Sequence, residues 1–242
     1  MNRFSKSVTS IKKSKIKNNI SVVILSAGIG ARIKSSEPRS LLKIGNQYLI
    51  DHQISVINNT FNNPEIIGVF GVGIDKIIKR VKDKIRIIEN QLYESTNNSE
   101  SLRLAINNTM MESVLFFHGD LYFNKNTFDN VNFNKSFILV DNEKHFGEFE
   151  VGVTTHDKRV TIFSYGLDTK WCQIAFITGK ELKIIKNIYS KYKPEDKKML
   201  SFEVLNKVIE SGGSFEFYQH GNTPIIEIDC IKDLYNENFN KQ

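Results

Sequence analysis

The chain has 242 residues, 40% hydrophobic and 25% charged, which is ordinary for a globular protein and enough for one large α/β domain or two small ones. No stretch approaches 18 uninterrupted apolar residues, which argues against a membrane span. Two distant cysteines, Cys172 and Cys230, argue against a disulfide framework or a Cys-x-x-Cys zinc site and suit a reducing cytoplasm.

Six of the 33 basic residues (Arg3, Lys6, Lys12, Lys13, Lys15, Lys17) fall within residues 1–19, which hold no Asp or Glu. The other 27 balance 27 acidic residues, so the formal charge of +6 belongs to a basic leader, read as flexible. No apolar core follows those charges, as a secretory signal would require. The leader could touch nucleic acid, but the neutral body makes that the weakest reading.

The first predicted element, Ile20 to Leu25, is a near-continuous apolar run of strand length. Tyr48 to Phe61 reads as a helix with Leu49, Ile50, Ile54 and Ile57 on one face. Glu65 to Phe70 reads as a second strand, Asp75 to Lys82 as a short amphipathic helix, and Ile85 to Ile88 as a third strand. A polar loop, Glu89 to Asn98, leads to a helix carrying Leu102, Leu104, Ala105 and Ile106. Val114 to Phe117 and Phe137 to Val140 are the fourth and fifth strands. Such alternation predicts βαβ units and a mostly parallel sheet with helices on both faces.

Past Asp141 the pattern changes. Glu148 to Thr154 and Arg159 to Phe163 alternate like antiparallel strands around His156-Asp157-Lys158. Gln173 to Ile177 is a strand, and Lys180 to Ile188 and Met199 to Ile209 are helices, the second ended by Gly212-Gly213. Ser214 to Tyr218 and Ile225 to Ile228 close the sheet region. There is no Pro/Ser-rich linker and no repeat, so residues 20–242 read as one domain with a small antiparallel, lid-like insertion.

Chemistry concentrates where the first strand ends. It runs into Ala27-Gly28-Ile29-Gly30-Ala31-Arg32, and Pro38-Arg39 follows. Glycines let the backbone approach an anion, exposed N–H groups point at it, and Arg32 and Arg39 add charge. That combination points to a nucleoside triphosphate. The position of the third dinucleotide-fold glycine is Ile33, and no P-loop lysine is present, so neither of those fingerprints applies.

The pattern Leu-x-Ala-Gly-x-Gly-x-Arg, five residues, Pro-Arg and then Leu41-Leu42 resembles the signature of nucleotidyltransferases that activate sugars, alditol phosphates and phosphocholine. Three later islands keep that family's order. They are Asn90-Gln91-Leu92-Tyr93 through Ser101-Leu102, then His118-Gly119-Asp120, then Glu227-Ile228-Asp229 ahead of a helix from Asp233-Leu234. Phosphocholine and aminoethylphosphonate cytidylyltransferases are the branch most resembled.

The resemblance implies a three-layer α/β/α, Rossmann-like (GT-A-like) fold. It implies attack by a phosphate or phosphonate oxygen of a small acceptor on the α-phosphorus of a triphosphate, with CTP favoured over UTP only through the likeness. Asp120 and Asp229 would hold Mg²⁺. Leu25, Ala27, Gly28, Ile29, Gly30 and Arg32 would cradle the phosphates, and Asn97 and Ser101 would meet ribose or base. Arg32, Arg39 and Asp120 would be the catalytic set, in a cytoplasmic enzyme compatible with a homo-oligomer.

Plainer readings stand beside these. Gly119-Asp120 could be a turn, Asp229 a helix cap, and the Ser95 to Ser99 cluster a loop and cap. The only tryptophan, Trp171, reads as core filling or as an aromatic face for a cationic head group. His145, Glu148 and Glu150 share its region without any one standing out. Arg39 departs from the family, which usually has lysine after the proline; it keeps the charge but is bulkier and forked. Lys43 could substitute as a cation or be a surface helix residue. The alternative is therefore a non-catalytic nucleotide-binding module whose turnover was lost through Arg39.

Overall fold

The computed structural model describes residues 19–28, 38–142, 149–220 and 224–228. The leader through residue 18, His145, Glu148, Cys230 and the helix expected from Asp233 lie outside them. In chain order the first strands and helices are β1 (Ile20–Ser26), β2 (Lys43–Ile44), β3 (Gln47–Tyr48), α1 (Leu49–Thr60), β4 (Glu65–Phe70), α2 (Ile74–Val81), β5 (Arg86–Glu89) and α3 (Asn98–Asn108). Next come β6 (Ser113–His118), β7 (Leu121–Tyr122), β8 (Phe137–Asp141), β9 (Val151–His156) and β10 (Arg159–Tyr165). The last are β11 (Thr169–Thr178), α4 (Gly179–Ser190), α5 (Ser201–Glu210), β12 (Glu216–Gln219) and β13 (Ile226–Glu227).

Nine strands form one sheet in the order β5-β4-β1-β6-β11-β8-β12-β10-β9. The first four are mutually parallel and β12 runs parallel to β8, while β11, β10 and β9 run antiparallel to their neighbours. The βαβ signature of the first half thus gives a parallel block, and the alternating segments after Asp141 give the antiparallel part.

Helices cover both faces, because the strands are apolar on both sides. On β1, Val23 and Leu25 face one core with Leu102, Ala105, Ile185 and Leu205 of α3, α4 and α5. Ile20, Val22 and Ile24 face the other, with Ile54 and Ile57 of α1 and Ile77 of α2. Each such side chain gains roughly 1.5–3 kcal/mol from burial, which overrides the weak helix propensity of β-branched residues in α1. This is the expected three-layer architecture.

Two differences from the sequence reading have local causes. β11 begins at Thr169, before the expected Gln173, because Trp171 and Cys172 are themselves buried strand residues. Ile226–Glu227 does not join the large sheet; it pairs antiparallel with β7 in a separate two-stranded ladder.

The end of the sheet remote from the glycine bend is closed by Glu65. Its carboxylate takes hydrogen bonds from Ser21, from the Met110 N–H at 3.2 Å and from Arg86 at 2.6 Å. Burial pushes the Glu65 pKa up, but these partners outweigh it and hold the carboxyl below its ordinary 4.5. A lowered folded-state value stabilises the protein above pH 4.5, and the gain is lost as pH falls through the folded value. Glu65→Gln should therefore lower the urea midpoint at pH 7, with the gap to wild type narrowing at pH 3. An equal gap at both pH values would show that ionisation of Glu65 is irrelevant.

The order β5-β4-β1-β6 reverses direction at β1. Ligands of open α/β sheets bind outside the carboxyl ends of the strands at such a reversal. Ala27-Gly28 leaves β1 there, and Gly119-Asp120 leaves β6.

Candidate functional site

Backbone hydrogen bonds fix the two strand ends against each other. Gly119 N–H donates to the Leu25 carbonyl at 2.8 Å, and Val72 N–H to the Ala27 carbonyl at 3.2 Å. A Cβ on Gly119 would stand 2.5 Å from Ser26 Cβ, so only glycine lets the turn before Asp120 come this close.

The turn is also held from both flanks. On α1, the fully buried Gln53 donates through Nε2 to the carbonyls of Gly119 at 3.1 Å and Leu121 at 2.8 Å, one on each side of Asp120. Ile228 N–H donates to the Asp120 carbonyl at 3.0 Å, which continues the β7–β13 ladder. Asp229 is the next residue in sequence and lies outside the described residues.

Asp120 is largely buried. Its Oδ2 is paired with Arg39 Nη1, while its Oδ1 has no hydrogen-bond partner among the described residues. Arg39 reaches it from a 3-10 turn, Arg39–Leu41, whose preceding Pro38 packs against Gly73 at the start of α2. Lys43 lies instead on β2, exposed, with Nζ 5.5 Å from the Tyr48 ring centre. It is not a helix residue.

A groove with two lobes opens beside this edge. The first is lined by Leu25, Ala27 and Gly28 of the bend and by Asn90, Tyr93, Thr96, Asn97, Asn98 and Ser101. Five expected binding residues (Leu25, Ala27, Gly28, Asn97, Ser101) therefore converge here. Ile29, Gly30 and Arg32 lie outside the described residues.

The loop around this lobe is braced by its own side chains. Asn90 donates to Thr96 Oγ1 and Ser101 Oγ, both at 3.2 Å, and accepts from Leu92 N–H. Asn97 donates to the Lys198 carbonyl at 2.6 Å, so its amide also ties α3 to the segment ahead of α5.

The second lobe shares Asn98 and Leu200 with the first and is lined by His118, Glu150, Lys170, Trp171, Gln173 and Glu227, with Tyr165 and Phe149 at its mouth. Trp171 is 1% exposed, donates its indole N–H to the Ile174 carbonyl and stands edge-on to Phe116, Phe163 and His118. Core filling is its main role, with one edge in the lobe.

Lys170 is paired with Glu150 and lies 3.9 Å from Glu227. Burial opposes its charge, but those two carboxylates outweigh it and hold its pKa above the ordinary lysine value. Burial likewise keeps the His118 pKa below its usual value, despite Asp120 nearby.

Among the described residues no group of three or more His, Cys, Asp and Glu gathers as a metal cage. Mg²⁺ sites of phosphate-handling enzymes commonly use one or two carboxylates plus substrate oxygens. The unpartnered, buried Asp120 Oδ1 suits one such ligand. No helix of the described residues is long and apolar enough to cross a membrane.

Sequence reading assigned no role to Gln53, Lys170, Gln173 or Asn98. Glutamine and lysine carry no local motif. Asn98 could have been found from its place one residue into a helix that opens on the binding loop.

The family model described as "Domain of unknown function (DUF6564)" matches residues 56–212. No curated protein matches in sequence. Among solved structures, the inositol-1-phosphate CTP transferase from T. maritima is similar with a TM-score of 0.75 at 17% identity, over 94% of this chain and 96% of the other. The CTP:phosphocholine cytidylyltransferase from Streptococcus pneumoniae gives 0.71 at 19%, over 89% and 96%. The nucleoside-diphosphate-sugar pyrophosphorylase from Vibrio cholerae RC9 gives 0.72 at 14%, over 91% and 100%. At such identities the likeness establishes the fold, a Rossmann-like α/β/α fold shared with nucleotidyltransferases.

Proposed function

The chain belongs to the DUF6564 family, and from its groove we propose that it is a Mg²⁺-dependent nucleotidyltransferase. CTP is the favoured donor, and the acceptor is a small phosphorylated or phosphonylated molecule (phosphocholine, aminoethylphosphonate, an alditol or sugar phosphate). One observation carries the reading: two adjoining lobes meet at the sheet's reversal, and the two residues just ahead of Asp120 touch one lobe each. Gly119 bonds to Leu25 of the first lobe, and His118 lines the second.

In this reading the acceptor's phosphate oxygen, already anionic, attacks the α-phosphorus. A bond forms between them, the bond from the α-phosphorus to the oxygen bridging it to the β-phosphorus breaks, and pyrophosphate leaves with that electron pair. No protein nucleophile and no proton transfer are needed. The protein's part is alignment and charge.

The glycine bend presents backbone N–H groups to the triphosphate, and Arg39 offers a fork to its oxygens. The resemblance adds Arg32 to that role. The braced Asn90–Ser101 loop holds the nucleoside, and the second lobe holds the acceptor. Asp120 would hold Mg²⁺, joined in the resemblance by Asp229, and the ion supplies neutralising charge on the phosphates when bound. A CTP-using enzyme of this kind belongs in the cytoplasm.

The test is a thermal-shift screen of CTP, UTP, ATP and GTP with Mg²⁺, followed by pyrophosphate detection with phosphocholine, aminoethylphosphonate and sugar phosphates. The expected result is a rise in Tm with one pyrimidine nucleotide, and pyrophosphate release only when acceptor and Mg²⁺ are both present. No release from any combination would end the enzymatic reading. A specific observation then favours the non-catalytic module: Arg39 already occupies one oxygen of Asp120.

A further inference from the structure

Gln173 has a backbone that glutamine rarely adopts. Its φ is +58°, in the left-handed region, in the middle of strand β11. Around it the pairing with β8 slips. Trp171 lies opposite Val140 and Ala175 opposite Ile138, so four steps on β11 face two on β8. The bulge is closed by the Trp171 indole bond to Ile174. Bulges of this kind re-aim a side chain, and strained positions cluster at functional sites.

The re-aimed amide completes a directed hydrogen-bond chain. Ser201 N–H donates to Asn98 Oδ1 at 2.7 Å, which leaves the Asn98 NH₂ facing His118 Nε2 at 3.1 Å. Ser201 Oγ lies 3.2 Å from the same nitrogen. His118 Nε2 is thus an acceptor, and the ring proton sits on Nδ1. The Gln173 side chain also hydrogen-bonds His118. Gln173 Nε2 donates to Glu227 Oε2, at 2.6 Å.

Every member of the chain lines the second lobe. Its last carboxylate sits on β13, one residue before the Ile228 N–H that bonds to the Asp120 carbonyl. A direct line of contacts therefore joins the acceptor lobe to the edge of the reaction.

We infer that Gln173 is a positioning residue of the acceptor lobe: its strained backbone aims the amide that holds the Glu227 carboxylate in place beside Lys170. The inference rests on the nucleotidyltransferase reading of the groove. Glu227 is an acceptor of hydrogen bonds, so the ligand class it suits carries N–H or O–H donors at the end remote from its phosphate. The nucleotide lobe does not include Gln173 or Glu227, so the effect of Gln173 belongs to the acceptor alone.

Two variants separate positioning from folding. Gln173→Gly removes the amide and relieves the left-handed backbone. Gln173→Asn tolerates that backbone but is one methylene too short to span His118 and Glu227. Steady-state kinetics are measured with aminoethylphosphonate and with glucose 1-phosphate, using whichever is turned over, alongside Tm. The expected result for both variants is an acceptor KM raised at least tenfold, a CTP KM within twofold of wild type, and a Tm for Gln173→Gly equal to or above wild type.

An unchanged acceptor KM in an active Gln173→Gly variant overturns the inference alone. So do KM values for acceptor and CTP that rise together with a fall in Tm, which is what a purely structural role gives. A wild-type protein that turns over neither acceptor overturns the enzymatic reading for these substrates and this inference with it.

Discussion

Asp120→Asn should lower pyrophosphate release by roughly 10³-fold while leaving the fold intact, since removing one charge-stabilising group at a transition state typically costs 10²–10³ in rate. Asparagine keeps the shape of the side chain and still offers Arg39 an oxygen. The turn itself is held by main-chain partners, Gln53 on one side and Ile228 on the other, that do not use the carboxylate. The variant's Tm should therefore stay near that of wild type. Its apparent affinity for Mn²⁺ in the presence of nucleotide should fall in step with the rate. A variant with wild-type turnover would remove Asp120 from the chemistry and return Gly119-Asp120 to a plain turn.

Arg39 has the second largest expected effect, and its two substitutions point in different directions. Arg39→Ala strips the cation from a carboxylate that is only 13% exposed. Breaking a fully buried pair from one side costs about 3–5 kcal/mol. Partial exposure of this pair scales that down to about 1–3 kcal/mol, read as a lower urea midpoint. Turnover should fall by about 10²-fold or more through loss of a phosphate contact.

Arg39→Lys keeps the charge and loses the fork. If the wild type is an enzyme, this variant should stay within about tenfold of it, because a point charge can still meet a phosphate oxygen. If the wild type is a non-catalytic module, the lysine variant should instead gain activity from near zero. Wild-type turnover measured first decides which comparison applies.

The parallel half of the fold could be read directly from the chain. The run Ile20 to Leu25 is apolar at nearly every position because β1 is covered on both faces, and Leu49, Ile50, Ile54 and Ile57 recur at helical spacing because α1 has one buried face. Those are local patterns, visible in windows of a dozen residues. The lobe residues near the bend were legible for a related reason: Ala27 and Gly28 follow the strand directly, and Asn97 and Ser101 open the helix after the polar loop.

The acceptor lobe resisted sequence reading because it is built from long-range coincidences. β13 reads as one more sheet strand, yet it pairs with the two-residue β7 beside Asp120, a partnership set by a separation of about a hundred residues. Gln173 sits in a segment with ordinary strand composition. Nothing in Trp-Cys-Gln-Ile announces a left-handed residue, because the bulge depends on how β8 meets β11. Gln53 is likewise one of several polar residues in an amphipathic helix, and its role shows only when the Gly119 and Leu121 carbonyls are seen to point at it.

Crystals grown with a non-hydrolysable CTP analogue and Mn²⁺ give the decisive density. The cytosine and ribose should lie along Asn90 to Ser101, with the triphosphate over Ala27-Gly28 and an anomalous Mn²⁺ peak between Asp120 and the α-phosphate. An analogue bound elsewhere, or an Mn²⁺ peak away from Asp120, would contradict the assignment of this edge as the place where the phosphorus is attacked.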